Sequence, residues 1–190
     1  MKKKSALYSY LLCALFAALT AVCSQIMVPL PFTPVPINLA YLAVLVCGGV
    51  LGAKKGAIAM LVYVLLGAVG VPVFVGFSGG LGALAGPTGG YIAGYIAMAV
   101  VCGLLKFGHF SDRQNTALRI GISVLKGVPV IFTGYAFGTA WFMITMGTGL
   151  ASSLLLCVVP FLAGDVVKII AAAGIIEALR RALPSYTINS

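Results

Sequence analysis

Acidic residues are nearly absent from this sequence. The chain of 190 residues contains three of them, Asp112, Asp165 and Glu177, and only 8% of its residues are charged. A soluble domain carries roughly 25% charged residues. Most of the surface therefore faces something other than water, and an enzyme would have very few acid/base groups available.

Motifs for nucleotide or metal chemistry are also lacking. The sequence contains no GxxxxGK[ST] phosphate-binding loop and no HExxH zinc motif. The number of cysteines is odd, no CxxC pair occurs, and all lie within apolar runs: Cys13, Cys23, Cys47, Cys102 and Cys157. This pattern favours small buried side chains over disulfides or a metal site. We therefore expect no metal, no cofactor and no enzyme activity.

Basic residues are present in larger number, but they stand at the ends of apolar runs. Lys and Arg together number 12, the net charge is +9, and 62% of residues are hydrophobic. Nucleic-acid binding would require these basic residues to form a continuous face. We instead predict an all-α polytopic membrane protein with the lipid bilayer as its surroundings and no nucleic-acid partner. Residues 1–190 should form a single domain, because no polar linker divides the runs.

The apolar runs predict about six transmembrane helices, since about 20 apolar residues cross a bilayer. The first run is interpreted as a retained helix, because the apolar core of a signal peptide is only roughly 7–15 residues long. Pro129 should kink the fifth run. The six runs are Ala6–Leu30, Asn38–Ala53, Gly56–Gly70, Gly89–Phe107, Thr116–Met146 and a last run that ends at Arg180 and Arg181.

The distribution of charge predicts the orientation in the membrane. The gaps at 28–37, 71–88 and 147–152 contain no Lys or Arg. The other gaps and the ends hold Lys2, Lys3, Lys4, Lys54, Lys55, Lys106, Arg113, Arg119, Arg180 and Arg181. By the positive-inside rule, both termini should be cytoplasmic. Lys126 lies two turns from Arg119 and is interpreted as reaching toward the inner surface.

Asp165 and Lys168 stand alone within the last apolar run. A charged side chain near a helix centre costs roughly 2.5–3.5 kcal/mol on insertion scales. A spacing of three residues places both on one helix face. They can form a structural ion pair, or they can present an acceptor and a donor to a ligand. Ionisable residues within a membrane are functional by default, which favours a binding site in the outer half of the bilayer.

A glycine-rich segment, 79–95, is the candidate for one wall of that site. Irregular backbone at membrane depth is tolerated where protein covers it or where it lines a cavity, although an ordinary connector remains the alternative. Thr88 is expected to cap the helix that begins near Gly89. Further polar and aromatic groups fall at the outer end, where they can complete a pocket or form an interfacial belt: Thr33, Asn38, Phe74, Phe77, Ser78, Tyr91 and Tyr95.

Three segments together resemble the BioY family, the biotin-specific substrate-binding (S) components of energy-coupling factor transporters. They are PLPFTPVPIN at 29–38, GPTGGY at 86–91 and Gly164-Asp165-x-x-Lys168. The resemblance covers the whole chain. It implies a six-helix subunit in the cell membrane of a prokaryote that captures biotin, its transported ligand, from outside. It also implies a partner complex of one transmembrane coupling protein and two cytoplasmic ATPases.

The resemblance implies that Asp165 and Lys168 contact biotin. A ureido ring offers N–H donors and a carbonyl acceptor, and the valerate tail is anionic, so either end of biotin could meet either residue. The expected substrate site comprises Thr33, Asn38, Phe77, Tyr91, Tyr95, Asp165 and Lys168. In this family the coupling protein packs on small residues of the first helix.

Two pairs of small residues on the first helix can provide that docking face. Ala14 and Ala18 form one AxxxA pair, and Ala17 and Ala21 form another. Such spacing permits close helix approach, and ordinary packing within the bundle is the alternative. We expect Ala14 and Ala18 to form the docking face.

Competing functions are a self-sufficient facilitator, an S component for a different vitamin, and a membrane enzyme. A facilitator predicts a continuous polar path, whereas the cytoplasmic halves of most of the runs are apolar.

Overall fold

The computed structural model describes residues 2–110 and 115–182, with side chains described from 7 to 110 and from 115 to 179. Its helices are α1 Lys2–Gln25, α2 Ala40–Ala68, α3 Leu81–Ala85, α4 Gly89–Leu104, α5 Thr116–Met146, α6 Leu150–Cys157 and α7 Leu162–Ala182. Strands β1 Met27–Leu30 and β2 Thr33–Asn38 pair with each other, and 3-10 turns occupy Val75–Phe77 and Val159–Phe161.

The first helix is shorter than predicted. It ends at Gln25 rather than near Leu30, and the proline-rich segment forms an antiparallel hairpin with Met27 opposite Asn38. Proline cannot donate a backbone hydrogen bond in a helix interior but is tolerated in an edge strand or at a bulge. The register shifts between Val28 and Leu30, which is where Pro29 stands. The chain is therefore mostly helical rather than entirely helical.

Helix α2 reverses direction at Gly52. This residue has φ 77° and ψ 177°, a conformation that favours glycine. A Cβ placed on Gly56 would lie 3.2 Å from the Cα of Gly48, whereas eight residues of straight helix span about 12 Å. The two halves of α2 are thus antiparallel, and they correspond to the second and third predicted runs, with Lys54 and Lys55 beside the turn.

Four of the described helical segments are long and apolar enough to cross a membrane by length and composition: Leu7–Gln25, Ala40–Ala68, Thr116–Met146 and Leu150–Leu179. Helix α4 is a shorter apolar helix. Large apolar side chains remain exposed along the flanks of these segments, including Leu15, Leu125 and Phe132. Such a surface suits lipid rather than water, as the composition predicts.

The two ends of the bundle differ in character. At one end the Cys13 thiol approaches the Lys55 carbonyl at 3.5 Å, and the Lys126 ammonium donates to the Lys106 carbonyl at 3.2 Å. At the other end lie the hairpin and the glycine-rich segment. Some of the predicted cytoplasmic charges lie outside the described residues or side chains: Lys2, Lys3, Lys4, Arg113, Arg180 and Arg181.

Glycines allow α4 and α5 to cross closely. A Cβ on Gly94 of α4 would lie 3.7 Å from the Cα of Gly134 on α5, and one on Gly90 would lie 2.2 Å from the Cβ of Trp141. A Cβ on Gly138 of α5 would lie 2.1 Å from the Tyr91 ring of α4. Small residues four apart let membrane helices approach in this way. The crossing fixes the position of Tyr91.

We expect Gly138→Ala to destabilise the protein by about 1–3 kcal/mol, because the added methyl overpacks this crossing. The matched control is Gly121→Ala on the same helix, where an added Cβ meets nothing within 4 Å. Thermal unfolding in detergent measures both. A melting temperature of Gly138→Ala equal to that of Gly121→Ala would contradict the packing argument.

Candidate functional site

A cavity lies at the end of the bundle that carries the hairpin. It is lined mainly by apolar and aromatic side chains with a few polar groups, which is typical of small-molecule sites. The lining residues are Val35, Pro36, Asn38, Tyr41, Val75, Thr88, Tyr91, Ile92, Tyr95, Tyr135, Cys157, Phe161, Asp165 and Lys168. Strand β2 and helices α2, α4, α5, α6 and α7 thus all contribute to one cavity.

Asp165 and Lys168 form a buried ion pair in the wall of this cavity. Their exposed fractions are 4% and 8%, and the Lys168 Nζ donates to Asp165 Oδ1 at 2.9 Å. Asp165 falls in the first turn of α7, where the helix dipole favours a negative charge. The turn containing Pro160 precedes this helix, so the pair lies near the start of α7, at the end of the bundle that carries the hairpin.

Tyr135 of α5 also contacts the Asp165–Lys168 ion pair. Its hydroxyl donates to Asp165 Oδ2 at 2.5 Å, so each carboxylate oxygen of Asp165 accepts one hydrogen bond from the protein. Sequence reasoning missed this residue. The sequence offered one signal for it, a tyrosine within a long apolar helix. A buried tyrosine hydroxyl usually has a hydrogen-bond partner, so a polar partner was to be expected near Tyr135.

Four tyrosines surround the ion pair. The Tyr41 ring lies 5.7 Å from the Tyr95 ring and 6.4 Å from those of Tyr91 and Tyr135, measured between centroids. The Lys168 ammonium lies 5.7 Å from the centroid of Tyr41, within the range of a cation–π contact. The Tyr41 hydroxyl is buried without a hydrogen-bond partner among the described residues. Tyr41 was not predicted as a site residue.

The other predicted site residues divide into two groups. Asn38, Tyr91 and Tyr95 line the cavity. Thr33 is buried in the hairpin and lines a neighbouring depression instead. Phe77 is 72% exposed and lies outside the cavity.

Thr88 lines the cavity, but it does not act as predicted. It precedes α4, yet its side chain makes no capping hydrogen bond. The predicted cap was wrong.

The end of α1 holds the loop that contributes Val75 to the cavity wall. The Gln25 side chain donates to the carbonyls of Val73 and Phe74 and accepts from the Phe77 N–H. The hydroxyls of Ser24 and Tyr63 also donate to the Val73 carbonyl. Val75 of the same loop lines the cavity, so these hydrogen bonds join the end of α1 to a part of the cavity wall.

The two AxxxA pairs of α1 face in different directions. Ala17 is buried with 2% exposed, and Ala21 is partly buried. Ala14 and Ala18 are exposed on an adjoining face of the helix. Only this second pair is accessible to another protein in the membrane.

Comparison with known proteins assigns the chain to a family. The profile described as the BioY family matches residues 1–185. The chain belongs to the BioY family.

Two relatives illustrate how fully the chain matches this family. It is 39% identical over 169 residues to a "Probable biotin transporter BioY" of Pyrococcus horikoshii, covering 89% of this chain and 94% of that protein. It is 36% identical over 167 residues to a "Biotin transporter BioY" of Thermotoga maritima, covering 88% and 92%. The resemblance predicted from the three sequence motifs is confirmed, as is the prediction of a transport protein rather than an enzyme.

A solved structure shares the fold. It is the S-component for biotin from an ECF-type ABC transporter, with a TM-score of 0.83, 25% identity and 95% of both chains covered. The membrane S-component fold therefore applies to this BioY-family chain.

Proposed function

We propose that this chain is the high-affinity biotin-binding membrane subunit of an energy-coupling factor transporter, working in biotin uptake with an ATP-driven module. The observation that carries the proposal is the buried Asp165–Lys168 pair within an aromatic cavity. Membership of the BioY family supports biotin as the ligand. No observation on the described residues favours a self-sufficient facilitator or a different vitamin.

The proposed topology has six transmembrane helices with both termini in the cytoplasm of a prokaryotic cell. These helices are α1, the two halves of α2, α4, α5 and α7, and together residues 1–190 form one domain. Lys54, Lys55, Lys106, Arg119 and Lys126 support this orientation, because these described basic residues belong to the end remote from the cavity. The cavity then opens toward the outside.

Charge favours one orientation of biotin in the cavity. The Asp165–Lys168 pair is neutral as a unit, and a ureido ring is also neutral. Its N–H groups match the free lone pairs of Asp165, and its carbonyl matches the remaining N–H donors of Lys168. The valerate carboxylate would instead approach the like charge of Asp165. We therefore place the ureido ring at the ion pair and the valerate tail toward the outer end.

The proposed partners are one transmembrane coupling protein and two cytoplasmic ATPases. Ala14 and Ala18 are the proposed contact with the coupling protein, since they are exposed and small. Their position on α1 also connects this face, through Gln25, to the loop beside the cavity.

Purified protein is expected to bind biotin with a stoichiometry of about one to one. Isothermal calorimetry in detergent measures this, with thiamine and riboflavin as control ligands. Binding of one of these vitamins without binding of biotin would overturn the proposed ligand.

A further inference from the structure

We propose that Tyr135 is a positioning residue that makes the site selective for ligands with N–H donors, acting through Asp165. This inference rests on the proposed function, and it concerns a residue that touches Asp165 from a different helix. Tyr135 lies on α5 and Asp165 on α7, 30 residues further along the chain.

Each carboxylate oxygen of Asp165 accepts a hydrogen bond from a different donor. Tyr135 occupies Oδ2 and Lys168 occupies Oδ1. A carboxylate has about four lone-pair sites, so about two remain after these bonds. Those remaining sites can only accept, and a ligand must supply N–H or O–H groups to use them.

The packing around Tyr135 holds its hydroxyl in the position from which it donates to Asp165. The residue is 8% exposed, and its ring lies 6.4 Å from that of Tyr41 at an interplanar angle of 37°. The neighbouring Gly134 leaves space for Tyr41, because a Cβ there would lie 2.5 Å from the Tyr41 hydroxyl oxygen. The proton of Tyr135 is committed to Asp165, which leaves Lys168 as the charged donor for the ligand.

Loss of the Tyr135 hydroxyl should change the orientation of Asp165 while leaving the ion pair in place. Lys168 is a compact charge on a flexible stem with three donors. Without Tyr135, its ammonium is the remaining protein donor for both carboxylate oxygens. The carboxylate can then turn toward Lys168 with both oxygens, and fewer lone pairs face a ligand.

The test compares Tyr135→Phe with the wild-type chain on biotin and on its two mono-N-methyl derivatives. Biotin supplies both ureido N–H groups, and each mono-N-methyl biotin lacks one of them. We expect Tyr135→Phe to bind biotin roughly ten- to hundredfold more weakly, in line with hydrogen bonds to charged groups. The ratio of biotin affinity to methylated-biotin affinity should fall, whereas a general structural defect would weaken all ligands alike.

Ser123→Ala is the matched control, because it removes another buried hydroxyl of α5, one that donates to the Arg119 carbonyl rather than to Asp165. Its affinity ratio should equal that of wild type. A second variant, Asp165→Asn, should by itself lower the ratio of biotin affinity to methylated-biotin affinity. Adding Tyr135→Phe to Asp165→Asn should lower this ratio little further. Melting curves establish that each variant is folded.

Two results would overturn the inference. One is a folded Tyr135→Phe protein whose ratio of biotin affinity to methylated-biotin affinity equals that of wild type. The other is a Tyr135→Phe substitution that lowers this ratio equally in the wild-type chain and in the Asp165→Asn chain. If Tyr135→Phe alone does not fold, an unchanged ratio in Asp165→Asn serves as the contrary result. Failure of the wild-type chain to bind biotin would instead reject the proposed function, so the two failures are distinguishable.

Discussion

Asp165→Asn and Lys168→Met are each expected to reduce biotin affinity by roughly ten- to a hundredfold. Both side chains are buried and paired at 2.9 Å. Removing one member leaves the other charge uncompensated, and breaking a buried pair costs roughly 3–5 kcal/mol. Part of this loss appears in stability and part in binding, because the same atoms meet the ligand. A loss of about 3 kcal/mol in binding corresponds to roughly a hundredfold in affinity.

Titration calorimetry together with melting curves separates the two parts. Glu177→Gln is the matched control for Asp165→Asn, because Glu177 lies on the same helix and pairs with Arg119 at the other end. Lys126→Met is the matched control for Lys168→Met, since Lys126 contacts the Lys106 carbonyl away from the cavity. Both controls should retain biotin affinity in the folded protein. Wild-type affinity in folded Asp165→Asn and Lys168→Met would leave the pair a purely structural role.

The double variant Ala14→Leu/Ala18→Leu is expected to lose association with the coupling protein while still binding biotin. Both alanines are exposed, and bulk at this position separates helix backbones that must touch. Ala14 follows Cys13, whose thiol approaches the Lys55 carbonyl at the end remote from the cavity. The substitutions therefore do not reach the residues that line the site.

Co-purification of the tagged variant with the coupling protein and ATPases measures the association. Ala136→Leu/Ala140→Leu is the matched control, because these alanines are also exposed and four residues apart, but they lie on α5. The control should co-purify at wild-type yield. If the Ala14→Leu/Ala18→Leu protein also co-purifies at wild-type yield, the docking face lies elsewhere.

Hydrophobic patterning predicted the helices well where the chain is uniformly apolar. The fifth run was predicted as Thr116–Met146, and α5 has the same bounds. Hydrophobic patterning failed at the end of the first helix, where proline decides the backbone conformation. The apolar run that begins at Ala6 continues past Gln25 into a proline-containing strand. Apolar composition is the same in a membrane helix and in a buried strand, so only the proline positions could have indicated the hairpin.

The candidate site was predicted in part, for a related reason. Asp165 and Lys168 stood out because charge is rare in this chain, and Asn38, Tyr91 and Tyr95 were found from their place near the outer loops. Tyr41 and Tyr135 were missed because a tyrosine in an apolar helix carries no sign of which neighbour it meets. Thr33 and Phe77 belong to segments that each contribute other residues to the cavity. Thr33 lies in the hairpin and Phe77 in the loop that contains Val75, and neither residue lines the cavity.

The sequence by itself determined the membrane character, the positions of the long helices, the rare intramembrane charges and the BioY family. The first three follow from composition and local spacing, and the family follows from the resemblance of three sequence motifs; none of them depends on how the helices pack. The tertiary structure alone decided which side chains share the cavity, which alanines of α1 face outward, and which hydroxyl holds Asp165. Those facts depend on the rotation of each helix about its axis, and that rotation is fixed by close contacts such as the glycine crossing of α4 and α5.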